Sequence, residues 1–298
     1  MTRSGGKGVQ SLVSRACKRV TLFVAVAALC VAVPTHATKA ITSSGVGEPN
    51  RPLVIAHRGA SGVAPENTMA SFEQAVRFGA DMIELDVHGS KDGRLIVIHD
   101  SSTSRTARGN PQGAVADLTL AQLRTMDVGV WKGPGFAGER ISTLDEVLAA
   151  FKGRALLLIE LKARGVENKV AQAIREAGME DCVMLQSFDA ESVRIMHGLL
   201  PETPAGVLCR DTWILDPAGR GRRIVEQVLE VGASFAGMNV GAVSAELVRV
   251  LKGGGIDVFA WTADDDWVFA HLIQAGVDGI ITNYPERLLR HLGRRVGE

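Results

Sequence analysis

Aromatic side chains are scarce in this chain: nine Phe, four Trp and one Tyr make up 5% of 298 residues, while hydrophobic residues in all reach 46%. The apolar share is therefore aliphatic. With no low-complexity tract, it describes a globular chain rather than a disordered or fibrous one. No segment repeats with a period of roughly 20–50 residues, which sets solenoids and propellers aside. Cysteine is nearly absent, with four residues, of which Cys17 and Cys30 lie near the N-terminus. Cys182 and Cys209 fall at the start of one expected strand and the end of the next, so no bridge is expected between them. The chain is not a disulfide scaffold, even if its compartment would permit one.

Acidic residues are missing altogether from positions 1–37, where Arg3, Lys7, Arg15, Lys18 and Arg19 precede an apolar run from Val20 to Val33. Pro34-Thr35-His36-Ala37 then offers a small residue for cleavage after Ala37. This order describes a secretory signal peptide. The run is shorter than the roughly 20 residues that a transmembrane helix needs. The expected location is the periplasm or the exterior, with no stable membrane insertion after cleavage. The whole chain balances 33 basic against 33 acidic residues; losing five basics leaves 28 against 33, about −5. No basic patch remains to suggest a nucleic-acid partner.

A polar linker is expected over 38–51, followed by a single domain over 52–298. Short apolar runs read as strands at Leu53–Ala56, Met82–Val87, Ala155–Leu161, Val183–Gln186, Ala205–Leu208, Phe235–Val240, Val258–Trp261 and Gly279–Thr282. Segments of helical period lie between them, among them Met69–Phe78, Glu167–Ala177, Ala190–Leu199, Arg223–Val231 and Asp265–Ala275. Gly79, Gly178, Gly232 and Gly276 suit helix C-termini. Near-continuous apolar strands alternating with helices indicate a parallel sheet covered on its faces. Eight such units favour closure into a (β/α)8 barrel.

One segment breaks the rhythm. Gly89-Ser90-Lys91-Asp92-Gly93 is too short for a crossover helix, so Leu95–Ile98 is expected to return as a β-hairpin. Residues 101–142 then form a polar, glycine-rich insertion with one short helix over Leu118–Thr125. A loop of this length is usually functional, and it is expected to sit over one end of the barrel.

Charged residues gather at strand ends: His57 and Arg58 after the first strand, Glu84 and Asp86 in the second, His99 and Asp100 after the hairpin, Glu160 and Lys162 at the third barrel strand. Alternation puts Glu84 with Asp86, and Glu160 with Lys162, on one face. At the C-terminal end of a parallel barrel that face opens into the site. A lone Glu-X-Asp is ordinarily a solvated strand face, and a lone Glu-X-Lys an intrastrand ion pair. Here all members fall at strand C-termini together. Three carboxylates in an apolar setting need compensation, and a hard divalent cation, Ca²⁺ or Mg²⁺, takes oxygen ligands. Two His supply proton transfer near neutral pH, while Arg58 and Lys162 add fixed positive charge. The set suits a phosphate ester. His88 shares the face of Glu84 and Asp86 but lies past the apolar run and reads as structural.

Through these residues the chain resembles the glycerophosphodiester phosphodiesterase family. The matching segments are His57-Arg58-Gly59, Pro65-Glu66-Asn67-Thr68, Glu84-Leu85-Asp86-Val87, Lys91-Asp92-Gly93, His99-Asp100, Glu160-Leu161-Lys162, Ser187-Phe188, Trp261-Thr262 and Gly276-Val277-Asp278-Gly279, followed by Thr282 and Pro285. The resemblance implies a (β/α)8 barrel with a small insertion after the hairpin. It implies one divalent cation on Glu84, Asp86 and Glu160, His57 and His99 as the acid–base pair, and Arg58 and Lys162 on the phosphate of a small-molecule phosphodiester. Trp261 would wall the alcohol side of the pocket, a position that equally suits barrel core. Glu66 and Asn67 would shape the loop after the first strand. Asn283 stands where the family usually carries Asp, and Ser90 where Thr is common.

Two other functions remain open on the same barrel: a phospholipase D acting on sphingo- or lysophospholipids, and a non-catalytic binding protein. Glu160-X-Lys162 argues against the first, although an apolar rim around Trp131 and Phe136 would favour it. The second is expected to have lost a His or a carboxylate, and none is missing.

Overall fold

The structure, a computed structural model, describes residues 51–297. The expected signal peptide and all but the last residue of the expected linker lie outside the described residues. In chain order the elements are β1 (Leu53–Ala56), α1 (Met69–Phe78), β2 (Met82–Gly89), β3 (Leu95–Val97), α2 (Leu120–Leu123), α3 (Leu144–Phe151), β4 (Leu156–Leu161), α4 (Glu167–Ala177), β5 (Val183–Ser187), α5 (Ala190–Leu199), β6 (Ala205–Cys209), α6 (Pro217–Glu230), β7 (Phe235–Asn239), α7 (Ala245–Gly253), β8 (Asp257–Trp261), α8 (Asp266–Ala275), β9 (Gly279–Thr282) and α9 (Pro285–His291). The sheet runs β1-β9-β8-β7-β6-β5-β4-β2, and a parallel β1–β2 pairing closes it. β3 lies antiparallel on β2 as the return arm of the hairpin. The fold is a (β/α)8 barrel.

Local signals agree with this order. Thr68 and Thr143 begin α1 and α3 with reciprocal capping boxes to Ser71 and Glu146, which satisfy orphan helix donors. Gly79, Gly178 and Gly276 end helices in the left-handed region, at φ 88°, 59° and 86°, where a side chain would be strained. α6 begins at Pro217, six residues before its expected start, because Asp216 caps the Gly219 N–H at 2.9 Å and proline is pre-set for the first turn. Gly221 sits inside that helix because a Cβ there would meet Val250 Cγ1 at 2.8 Å. The helix expected over 118–125 is reduced to Leu120–Leu123.

Two cores follow from the period of two along each strand. Inward positions (Ile55, Met82, Leu158, Met184, Phe235, Phe259 and Ile281) fill the barrel interior. Outward positions pack against the helices, as Ile83 and Leu85 do around Phe72 and Phe151. Counting by twos from Met82 brings Glu84, Asp86 and His88 onto the interior face; counting from Leu158 brings Glu160. The insertion has its own apolar centre, including Ile98, Val115, Leu118, Leu123 and Met126. It rests on the loop after β1, where Lys132 donates to the Ser61 carbonyl at 2.7 Å. Cys182 and Cys209 form no disulfide.

Asp257 opens β8 at the opposite end of the barrel. Burial, and then the nearby Asp278 carboxylate, push its carboxyl up to about 7, with Lys252 opposing. The folded state therefore resists ionisation that the unfolded chain undergoes near pH 4. The cost is absent below that pH, grows as pH rises, and is complete above about 7. Asp257→Asn should raise the melting temperature at pH 8 by a few degrees, at roughly 2–4 °C per kcal/mol. The gain should shrink towards pH 5. Thermal unfolding at the two pH values checks this.

Candidate active site

The interior face runs out of apolar residues at the C-terminal ends of the strands, and there the charged set assembles. Asp86 and Glu160 are register partners across the β2–β4 ladder. Glu84, Asp86 and Glu160 are all buried, and each offers a carboxylate oxygen within 4.8 Å of those of the other two. Arg58 follows β1 and reaches the cluster twice. Its backbone N–H donates to Glu84 Oε2 at 2.8 Å, and its Nε lies 3.3 Å from Asp86 Oδ2. Lys162, just past β4, holds its ammonium 2.8 Å from Glu160 Oε1 and 3.6 Å from Asp86 Oδ1.

Keeping this geometry costs backbone strain. Arg58 and Asn67 take left-handed φ values of 55° and 56°, a conformation that costs a non-glycine residue about 1–3 kcal/mol. Asn67 repays it on Asp86: its Nδ2 donates to Asp86 Oδ2 at 2.8 Å, and its Oδ1 accepts from the Asp86 N–H at 3.2 Å. Gly59, at φ 81°, has no room for a side chain, since a Cβ would lie 2.4 Å from Ser71 Oγ.

The carboxylates are not equivalent. Burial, then Asp86 and Glu160, push Glu84 well above the ordinary range. Burial and Asp86 push Glu160 up to about 7. Burial acts upward on Asp86 too, but Arg58 and Lys162 outweigh it and hold Asp86 below its ordinary value. Two cations thus do not neutralise three buried acids. Asp86 Oδ1 also accepts no hydrogen bond from the described residues. An all-oxygen donor set with a free lone pair and surplus negative charge fits a hard divalent cation.

His57 is held through its Nδ1, 2.7 Å from Asn283 Oδ1. The orientation of that amide follows from its other bonds. Nδ2 donates to Asp264 Oδ2 at 2.6 Å, and Oδ1 also accepts from the Ser61 hydroxyl at 2.7 Å. An accepting Oδ1 requires Nδ1 of His57 to carry the proton, which leaves Nε2 as a lone pair. Burial, then the Arg58 charge, lower His57 to about 4, so the ring is neutral at neutral pH. His99 is held differently: its Nδ1 lies 2.6 Å from Asp100 Oδ1. His88 supports the same turn, with Nε2 3.0 Å from the His99 carbonyl.

Trp261 ends β8, packed edge-on against Phe188 at 5.4 Å between ring centroids. It adjoins the interior cluster, and its buried indole N–H has no acceptor among the described residues. Sequence reasoning left several contributors without a role. Asn283 stood out only as a departure from Asp, yet it is the residue that touches His57. Glu66 is more than a loop residue, since it accepts from Arg58 Nη1 at 2.9 Å. Gln186, 3.5 Å from Glu84 Oε1, was visible only as the next inward position on β5. Asp264, beyond β8, carried no sequence signal.

Residues 57–287 match the glycerophosphoryl diester phosphodiesterase family. A glycerophosphodiester phosphodiesterase of Caldanaerobacter subterraneus subsp. tengcongensis is 39% identical over 243 residues, covering 80% of this chain and 96% of that protein. The crystal structure of a glycerophosphodiester phosphodiesterase from Agrobacterium tumefaciens is 30% identical, with a TM-score of 0.70 over 80% of this chain and 100% of that one. A phosphodiesterase of Oleispira antarctica, solved in complex with the product sn-glycerol-3-phosphate, is 28% identical, with a TM-score of 0.72 over 81% of this chain and 97% of its own.

Exchanging the amide that faces His57 for a carboxylate places negative charge 2.7 Å from Nδ1. Asn283→Asp should therefore raise the His57 pKa from about 4 by about 1–3 units. An NMR titration of the imidazole in wild type and variant reads the shift directly.

Proposed function

The chain belongs to the glycerophosphoryl diester phosphodiesterase family, and from that premise we propose that it cleaves glycerophosphodiesters to glycerol 3-phosphate and an alcohol, with a divalent cation and two His. The observation that carries this reading is the buried triad Glu84–Asp86–Glu160, short of positive charge despite Arg58 and Lys162.

Glu84, Asp86 and Glu160 would hold the cation, Ca²⁺ or Mg²⁺. When bound, it offsets the surplus negative charge and polarises the phosphoryl oxygens. The rest falls to the side chains. Arg58 and Lys162 grip the non-bridging oxygens of the phosphate in the bound substrate as in the transition state, so their charge acts chiefly on binding. His57, neutral with a free Nε2, takes the proton of the attacking hydroxyl as the new P–O bond forms. That hydroxyl belongs to water, which gives glycerol 3-phosphate directly, or to the neighbouring carbon of the glycerol, which gives a cyclic phosphate that water then opens to glycerol 3-phosphate. His99, with its Nδ1 proton directed to Asp100, donates from Nε2 to the alcohol oxygen as the old P–O bond breaks. Trp261 walls the alcohol side, and its free indole N–H can donate to a polar head group. The basic, apolar leader at positions 1–37 supports action in the periplasm or outside the cell.

A second reading, cleavage of lysophospholipids, draws on one observation. The exposed Val63, Val130, Trp213, Leu215 and Trp267 lie in loops or a first helical turn that follow strands, at the site's end of the barrel. Trp131 and Phe136 of the insertion are half-buried and add less to this rim.

The test uses glycerophosphocholine with and without EDTA, followed by Ca²⁺ or Mg²⁺, with glycerol 3-phosphate as the readout. Release should require the cation and be lost in Glu84→Gln. His57→Ala and His99→Ala should each lower kcat/KM by about 10²–10⁴-fold. Cleavage of lysophosphatidylcholine alone would move the assignment to the lipid substrate. Turnover of neither would leave a binding role.

A further inference from the structure

Arg105 lies in the insertion, outside the set that touches the phosphate, and it is the hub through which two parts of the site meet. Its guanidinium makes two paired contacts. Nε and Nη2 donate to Asp100 Oδ2 and Oδ1 at 2.7 and 3.1 Å; Nη1 and Nη2 donate to Glu66 Oε2 and Oε1 at 2.7 Å each. Each carboxylate passes the contact on. Asp100 Oδ1 accepts from His99 Nδ1 at 2.6 Å, and Glu66 Oε1 accepts from Arg58 Nη1 at 2.9 Å. A chain of charge-assisted bonds thus runs from the proton-transfer residue at the end of the hairpin to the phosphate-gripping residue after β1, with one side chain at its centre.

We propose that Arg105 is a positioning residue that orients His99 through Asp100 and Arg58 through Glu66. The proposal rests on the reading of His99 as the proton donor to the leaving alcohol. Only a planar fork can serve two carboxylates side by side; an ammonium is a point charge and cannot reproduce both pairs. Hydrogen bonds from Arg105 hold Asp100 well below its ordinary pKa, and with Arg58 they outweigh burial to hold Glu66 low as well. Both relays therefore remain ionised acceptors. The role is one of position more than stability. The Arg105 side chain is 45% exposed, and exposed ion pairs contribute little to folding. The insertion keeps its own apolar centre and the Lys132 contact without it.

The two relays predict separable effects. Loss of the Asp100 arm weakens proton donation, which matters for an alkoxide leaving group and little for p-nitrophenolate. Loss of the Glu66 arm loosens Arg58 and weakens binding of either substrate. The experiment measures the full-length enzyme with its cation on glycerophosphocholine and on glycerophospho-p-nitrophenol. In Arg105→Ala, kcat on glycerophosphocholine should fall by about 10–100-fold, kcat on the p-nitrophenyl ester by less than about 3-fold, and KM should rise for both. The melting temperature should change by less than about 3 °C. Arg105→Lys should behave like Arg105→Ala, and it serves as the second variant if the alanine protein does not fold. Asp100→Asn combined with Arg105→Ala should have no lower kcat than Asp100→Asn alone. Equal losses of kcat on both substrates, or independent multiplying losses in the double variant, would overturn the proposal. His99→Ala is the control. If it shows the leaving-group dependence and the Arg105 variants do not, Arg105 has no such role. If His99→Ala lacks the dependence, the assignment of His99 as acid fails first and the proposal falls with it.

Discussion

Three carboxylates share one buried volume at the mouth of the barrel, and the charge they bring there governs the surrounding structure. Outward-facing acids would be solvated. On the inward face of β2 and β4 the period of two leaves them no exit. Compensation must come from neighbours whose own positions are constrained. Arg58 delivers both a backbone N–H and a side chain, which requires its left-handed turn immediately after β1. Asn67 accepts the same conformation to hold Asp86 by two bonds. Lys162 stands one inward step past Glu160 and spans both acids. Even so, Glu84 and Glu160 are pushed upward. That residual imbalance separates this cluster from an ordinary internal ion-pair network, in which the charges would close on themselves.

The barrel was legible because its two signals, apolar strands and glycine-closed helices, are local. Each of the eight strands lies where a short aliphatic run predicted it, within about two residues at the ends, the usual uncertainty of element boundaries. α6 starts earlier than its helical period suggests because the Asp216–Pro217 cap outweighs the cost of Gly219 and Gly221, and Gly221 is required by a helix–helix approach that no linear pattern reveals. The site divides in the same way. Glu84, Asp86, Glu160 and Lys162 could be brought together by counting along strands. Asn283, Asp264 and Arg105 act across 226, 19 and 39 residues of sequence on His57, Asn283 and Glu66. Such pairings follow from the closure of the barrel and from the seat of the insertion, neither of which spacing encodes.

The insertion gains meaning from its anchor points. A polar excursion of this length could have been an independent lobe hanging from the hairpin. Instead it has its own apolar centre, it is tied to the hairpin turn through Asp92 and to α3 through Glu146, and it reaches the loop after β1 through Lys132–Ser61 and Arg105–Glu66. That loop carries His57 and Arg58, while the strand feeding the insertion ends in His99. The two proton-transfer candidates therefore belong to segments that the insertion ties together, and catalytic geometry depends on holding such segments to well under an ångström.

The difference between the two His residues lies in what faces Nδ1. Both rings present a protonated Nδ1 to an oxygen, so both leave Nε2 for chemistry. Behind His57 stands a neutral amide, itself turned by Asp264 so that only its oxygen can face the ring. Behind His99 stands a carboxylate, kept ionised by Arg105. The neutral partner favours an imidazolium only through its hydrogen bond, which burial and the Arg58 charge outweigh at His57. The neutral amide suits the part proposed for His57, a ring that accepts a proton at Nε2, while the Asp100 carboxylate fixes the orientation of His99. Paired groups with opposite environments are how a site separates acid from base. Asn283, where the family usually carries Asp, therefore leaves His57 facing a neutral oxygen, as the proposed proton-accepting role would require.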